Sequence, residues 1–92
     1  MIRIRWTPEA ADDLEHISVH IGKDNPAAAL KVVRTIFDGI NLLRRFPHRG
    51  RVGEVENSRE LFFAPLPYVV VYEIRDETVV ILHIYHGAQD WR

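Results

Sequence analysis

The sequence predicts an α+β fold in which a helical hairpin packs on one face of a mostly antiparallel sheet. Two segments of the first half repeat apolar residues every three or four positions, as amphipathic helices do. Three segments of the second half are short, rich in β-branched and aromatic residues, and separated by turn residues, as strands are. Because helices and strands are segregated along the chain, we expect the order β-α-α-β-β-β.

The length of 92 residues predicts one domain, residues 1–92, because so short a chain buries a single core. Hydrophobic residues make up 47% of the sequence, which is enough to fold without a metal or a disulfide. Cysteine is absent, so disulfides and thiol chemistry are excluded. The chain shows no signal peptide and no apolar run near the roughly 20 residues of a membrane span. We therefore expect a soluble cytoplasmic protein that does not contact the membrane.

The first strand and two helices have clear local signals. Apolar and basic residues alternate over residues 2–6, which indicates a half-buried strand. Thr7-Pro8 and Asn25-Pro26 each combine a capping side chain with a proline whose φ is already helical. Gly22 ends the first helix and Pro47 ends the second. Because few residues separate the helices, we expect an antiparallel pair.

The second half predicts the sheet. The polar segment 48–57 is interpreted as a loop that passes into a short strand near residues 52–55. Strands follow over 59–63, 68–74 and 79–85, and a polar turn joins the last two. Since the helices cover one face only, we expect an apolar interaction surface on the other face. Its predicted residues are Val70, Tyr72, Ile74 or their neighbours.

Charge and histidine spacing exclude several kinds of site. The net charge is −1, whereas nucleic-acid-binding domains usually carry a basic excess. A local basic patch can still form within residues 44–51. His16 and His20 stand four apart on the first predicted helix, but no Glu follows the first His as in a metalloprotease helix, and no third ligand is evident. We expect no metal and no cofactor.

A series of short motifs runs in order along nearly the whole chain. The motifs are Trp6-Thr7, AxxDL at 10–14, Asn25-Pro26-Ala27-Ala28, Phe46-Pro47, Gly50-Arg51-Val52-Gly53, Arg59-Glu60-Leu61, Pro67-Tyr68-Val69-Val70-Val71-Tyr72 and HxAQxW at 86–91. Together they resemble the RelE/ParE superfamily of bacterial type II toxin–antitoxin toxins. The resemblance implies a growth-arresting toxin that a cognate antitoxin protein neutralises, with DNA contacted only indirectly through that antitoxin.

The resemblance leaves two targets, because RelE-like members cleave mRNA in the ribosomal A site and ParE-like members inhibit DNA gyrase. Aligned on the strand from Tyr68 to Tyr72, the lysines of the endonuclease branch fall on Glu60 and Phe62, and a strand arginine falls on Val69. None of these side chains can stabilise the charge that develops on a scissile phosphate. The tyrosine near the end of that branch falls near Trp91, whose indole cannot act as a base.

The resemblance therefore favours the ParE side, a non-catalytic inhibitor of DNA gyrase. One alternative is a ribosome-dependent mRNA endonuclease in which Arg59 holds phosphate and His86 transfers protons. The other is an inactive toxin fold that is retained as an antitoxin-binding regulatory subunit. All three stay open on the sequence alone. The residues expected to bind the target through arginine and aromatic contacts are Arg49, Arg51, Arg59, His86, Gln89, Trp91 and Arg92.

Overall fold

The computed structural model describes residues 2–87, and within that range the chain forms two helices on a five-stranded sheet. The sheet order is β1-β5-β4-β3-β2, and all pairs are antiparallel except β1, which runs parallel to β5. The predicted α+β class, with a helical hairpin on a mostly antiparallel sheet, is confirmed. The elements are β1 (Arg3–Trp6), α1 (Pro8–Gly22), α2 (Pro26–Asn41) with a 3₁₀ turn (Leu42–Arg44), β2 (Arg51–Val52), β3 (Ser58–Phe62), β4 (Tyr68–Arg75) and β5 (Thr78–His86).

Both helices begin at the predicted caps. The Thr7 hydroxyl oxygen accepts a hydrogen bond from the Ala10 amide at 3.1 Å and donates to the carbonyl of Ile81 at 2.8 Å. The Asn25 side chain accepts from the Ala28 amide at 3.0 Å. Thr7 therefore does more than start α1, because it also ties the helix to β5.

The core lies between the helices and the sheet. Val70 and Tyr72 belong to this core, and Ile74 packs against it, so the expectation that these residues face away from the helices is wrong. Strand alternation turns Val69 and Val71 to the opposite face. Both are buried as well, with 3% and 0% exposure. The centre of the far face is therefore not an open apolar surface. The main helix-side residues are Ala10, Ile36, Ile40, Leu43, Leu61, Val70, Tyr72, Val79, Ile81 and Ile84.

The short strand predicted near residues 52–55 is displaced towards the N-terminus. It covers only Arg51–Val52, which pair with β3. The segment after it turns back at once, since the Gly53 amide donates to the Ser58 carbonyl at 2.8 Å and the Ser58 amide donates to the Val55 carbonyl at 3.0 Å. These turn hydrogen bonds end the strand at Val52.

Across residues 2–87, neither helix combines the length and the apolar character that crossing a membrane would require.

Candidate functional site

Residues 44–51, here called the basic segment, connect α2 to β2 and hold four arginines and one histidine without any acid. The phenol of Tyr72 fixes this segment from the core. Its hydroxyl donates to the Pro47 carbonyl at 2.7 Å and accepts from the Gly50 amide at 2.9 Å. Burial raises the pKa of Tyr72, and the Gly50 hydrogen bond and nearby arginine charges oppose that rise only in part. Tyr72 is therefore a neutral anchor for the segment.

Arg59 holds the same segment from β3, where it lies opposite Tyr72. Its Nη1 atom donates to the Gly50 carbonyl at 2.7 Å and to the His48 carbonyl at 3.2 Å. These bonds hold the Nη1 atom of the guanidinium against the protein's own backbone. Arg59 thus positions the basic segment, a role that its residue type alone did not reveal.

Arg49 and Arg51 are exposed beside this anchor, so the structure brings three of the predicted target-binding residues to one end of the molecule. The Arg51 guanidinium lies over the ring of Phe62 at 4.2 Å from its centroid. Phe62 itself is 41% exposed. The result is a surface of guanidinium groups with an aromatic side chain among them.

Glu60, Phe62 and Val69 occupy the three strand positions where the resemblance puts the cations of the endonuclease branch. Phe62 pairs with Val69 across β3 and β4, and Glu60 lies two residues from Phe62 on the same face of β3. The structure therefore gathers the three positions, with a carboxylate, a phenyl ring and an isopropyl group at them. Arg51 reaches this face, but it packs on the Phe62 ring.

His86 lies far from Arg59. His86 pairs with Tyr68, and their rings meet edge-on with centroids 5.7 Å apart. Arg59 pairs with Tyr72, four residues along β4 and on the opposite neighbouring strand. Four residues along a strand and two strand spacings separate the two backbones by about 16 Å. The two groups of the endonuclease alternative are not brought together. Gln89, Trp91 and Arg92 lie outside the described residues.

A second polar region surrounds His86, where a cleft of about 400 Å³ also receives Asp13, His16 and His20 from α1. Asp13 Oδ2 accepts a hydrogen bond from the Ile84 amide at 2.9 Å and lies 3.3 Å from His83 Nδ1. Asp13 therefore covers the edge of β5 beyond the end of β1, a role that sequence spacing gave no signal for. Between residues 2 and 87, no three His, Asp or Glu side chains are grouped as metal ligands.

An apolar groove with a volume of about 470 Å³ is lined by both helices and by Trp6 of β1. Trp6 and Phe37 form one of its walls, stacked with ring centroids 6.2 Å apart. Phe37 is 47% exposed and Val19, on α1, is 53% exposed. The groove is lined by Trp6, Ala11, Leu14, Glu15, Ser18, Val19, Val33 and Phe37.

Comparison with known proteins identifies the family. Residues 4–91 match the family described as the ParE toxin of the type II toxin-antitoxin system, parDE. Y4kP of Sinorhizobium fredii is 40% identical over 97% of this chain and 92% of that protein. Toxin RelE2 of Caulobacter vibrioides is 35% identical over 97% of this chain and 99% of that protein. The solved chromosomal ParDE system of P. aeruginosa superposes with a TM-score of 0.84 at 29% identity, over 94% of this chain and 96% of that one. The match over residues 4–91 shows that the chain belongs to the family of ParE toxins of type II toxin-antitoxin systems.

Proposed function

We propose that this toxin acts by binding DNA gyrase, without cleaving RNA, and that a cognate antitoxin protein holds it inactive in the cytoplasm. The observation that carries the proposal is the chemistry at Glu60, Phe62 and Val69. RNA cleavage through the 2′-hydroxyl develops negative charge on the phosphate, and catalysts stabilise that charge with cations fixed beside it. A carboxylate there would oppose it, and the other two side chains cannot offset it.

Arg59 and His86, the residues of the endonuclease alternative, do not replace the missing strand cations. Arg59 donates to two backbone carbonyls of the basic segment. Its strand position is about 16 Å from that of His86, too far for both to contact one phosphodiester. The proposal therefore assigns Arg49 and Arg51 to recognition of the target, with Arg59 as a positioning residue. Gln89, Trp91 and Arg92 keep their predicted recognition role.

The antitoxin partner is supported by the family description and by the P. aeruginosa ParDE system, which the chain resembles over nearly its whole length. The groove on the helical hairpin fits an apolar helix of such a partner, because Val19 and Phe37 expose apolar surface at its rim. A partly disordered antitoxin segment would lose conformational entropy as it folds there.

Purified toxin added to gyrase tests the proposal. We expect loss of DNA supercoiling, or accumulation of cleaved DNA, at toxin concentrations comparable to those of gyrase, and reversal by the antitoxin. Arg49→Gln/Arg51→Gln should weaken the effect at least ten-fold. Lys23→Gln/Lys31→Gln, which removes the same charge at the far end of the hairpin, should leave it within two-fold.

The two alternatives give different results. Ribosome-dependent mRNA cuts that disappear in His86→Ala, with gyrase unaffected, would replace the proposal by the endonuclease. Normal growth of cells that express the toxin without antitoxin, together with retained antitoxin binding, would indicate the inactive regulatory subunit.

A further inference from the structure

We propose that the basic segment binds the phosphate backbone of duplex DNA directly. This inference rests on the proposed function for its choice of DNA, because gyrase works on a DNA duplex. It departs from the expectation that the toxin meets DNA only through the antitoxin, and the reason is the distribution of charge in the folded chain.

Although the net charge is only −1, charge is distributed unevenly along the chain. The basic segment carries four arginines and no acid, so with a total of −1 the other 84 residues carry −5. Charges farther than about 8 Å from a phosphate are screened at physiological salt. A DNA strand at this end of the molecule therefore interacts with the arginines and only weakly with acids that lie beyond that distance.

The guanidinium groups of the segment are available for contact. Arg45, Arg49 and Arg51 are exposed, and none of the three makes an ion pair with another residue of 2–87, where the arginine that makes one is Arg75, with Glu73. Arg45 and Arg49 line one shallow depression, and Arg49 and Arg51 line the next. Because Arg49 belongs to both depressions, the three arginines form one continuous surface.

Among the residues of 2–87 that line the two depressions, Glu60 is the one acid, and it pairs with Arg51. It leaves an excess of positive charge, because three arginines meet one carboxylate. All four cations of the segment are arginines, whereas both lysines of the chain lie elsewhere. The planar guanidinium fork matches phosphate oxygens in a bidentate way.

The segment is also held in place before any ligand binds. The Tyr72 hydroxyl and the Arg59 guanidinium hold the backbone on both sides of Arg49, through Pro47, His48 and Gly50. Arg51 is oriented by its contact with Phe62. A preorganised surface loses less conformational entropy on binding. Duplex DNA carries about one charge per 1.7 Å of its axis, so several of these arginines can meet phosphates at once.

The test is equilibrium binding of the purified toxin to a fluorescein-labelled 20-base-pair duplex, followed by anisotropy at 50 to 200 mM salt. Three phosphate contacts predict that log K falls with log salt with a slope of about −2.7, or about 40-fold over this range. Arg45→Gln/Arg49→Gln/Arg51→Gln should bind at least ten-fold more weakly at 50 mM salt, with a slope near zero. Thermal melting verifies that the variant is folded.

The matched control is Lys23→Gln/Lys31→Gln/Arg34→Gln, which changes the net charge equally at exposed positions on the helical hairpin. It should bind DNA within two-fold of the wild type. Equal losses in the two triple variants would overturn the proposal, as would absence of binding by the wild type at 50 mM salt. Single-stranded RNA of the same length or poly-glutamate that binds ten-fold more tightly than the duplex would also overturn it.

Gyrase inhibition separates this inference from the proposed function. Unchanged duplex binding by the basic-segment triple variant, together with loss of its gyrase inhibition, would refute the DNA contact and leave gyrase as the target that these arginines recognise. Salt-dependent duplex binding by a toxin that has no effect on gyrase would support the DNA contact and refute the proposed target.

Discussion

Replacing Tyr72 by phenylalanine should destabilise the fold and release the basic segment, although it removes only one oxygen atom. The hydroxyl joins the Pro47 carbonyl at 2.7 Å and the Gly50 amide at 2.9 Å, and Gly50 is buried. A buried polar group that loses its partner costs about 1–3 kcal/mol. Two such groups, one of them partly hydrated, lower the free energy of unfolding by about 2–4 kcal/mol. For a domain of this size, that lowers Tm by about 10–20 °C.

Thermal melting measures the global effect, and hydrogen exchange at the Gly50 amide measures the local one. Tyr68→Phe is the matched control, because Tyr68 is on the same strand and its hydroxyl makes no hydrogen bond with another residue of 2–87. It should change stability by less than about 0.5 kcal/mol. Equal Tm values for the two variants, with Gly50 exchange unchanged in Tyr72→Phe, would refute the assignment of Tyr72 as the anchor.

Three further predictions follow from other contacts. Burial raises the pKa of Tyr72 above its ordinary value of 10.0, so the neutral phenol stabilises the fold fully below pH 10. The free energy of unfolding should therefore fall as the pH rises beyond 10. The difference between the urea midpoints at pH 9 and pH 11 should be smaller for Tyr72→Phe than for the wild type. Asp13→Ala should cost about 1–2 kcal/mol by removing the acceptor of the Ile84 amide. Asp13→Asn retains an acceptor oxygen, so it should lose less. Equal losses of unfolding free energy in Asp13→Ala and Asp13→Asn, measured by urea denaturation, would contradict this explanation. Phe37→Ala should weaken antitoxin binding at least ten-fold by calorimetry, because it removes a wall of the groove, whereas Leu30→Ala, exposed on the same helix outside the groove, should bind within three-fold.

Local chemistry made part of this structure predictable. Thr7-Pro8 and Asn25-Pro26 start helices because a capping side chain and a proline act over a few residues, independently of the rest of the fold. The hairpin between β4 and β5 follows from its turn in the same way. In contrast, the pairing of β1 with β5 and the register shift between Val71 and Tyr72 depend on distant segments.

The candidate site, too, was predictable only in part. The basic character of residues 44–51 was visible in the sequence, but the way in which the segment is held was not. Tyr72 was expected on the open face of the sheet, and strand register puts it on the helix side, where its hydroxyl meets Pro47 and Gly50. Arg59 was expected to bind a partner or a phosphate, and the sequence did not show that its Nη1 atom also donates to two backbone carbonyls. Such contacts join residues 9 to 25 positions apart, and spacing does not encode them.

The parallel pairing of β1 with β5 joins Arg3 to Thr78, seventy-five positions along the chain. During synthesis on the ribosome the first strand emerges early and must wait for its partner, since contacts this distant form only when both segments exist. A nascent chain halted before Thr78 therefore lacks a completed sheet. The fold of this toxin is completed only after the last strand, Thr78–His86, has been synthesised.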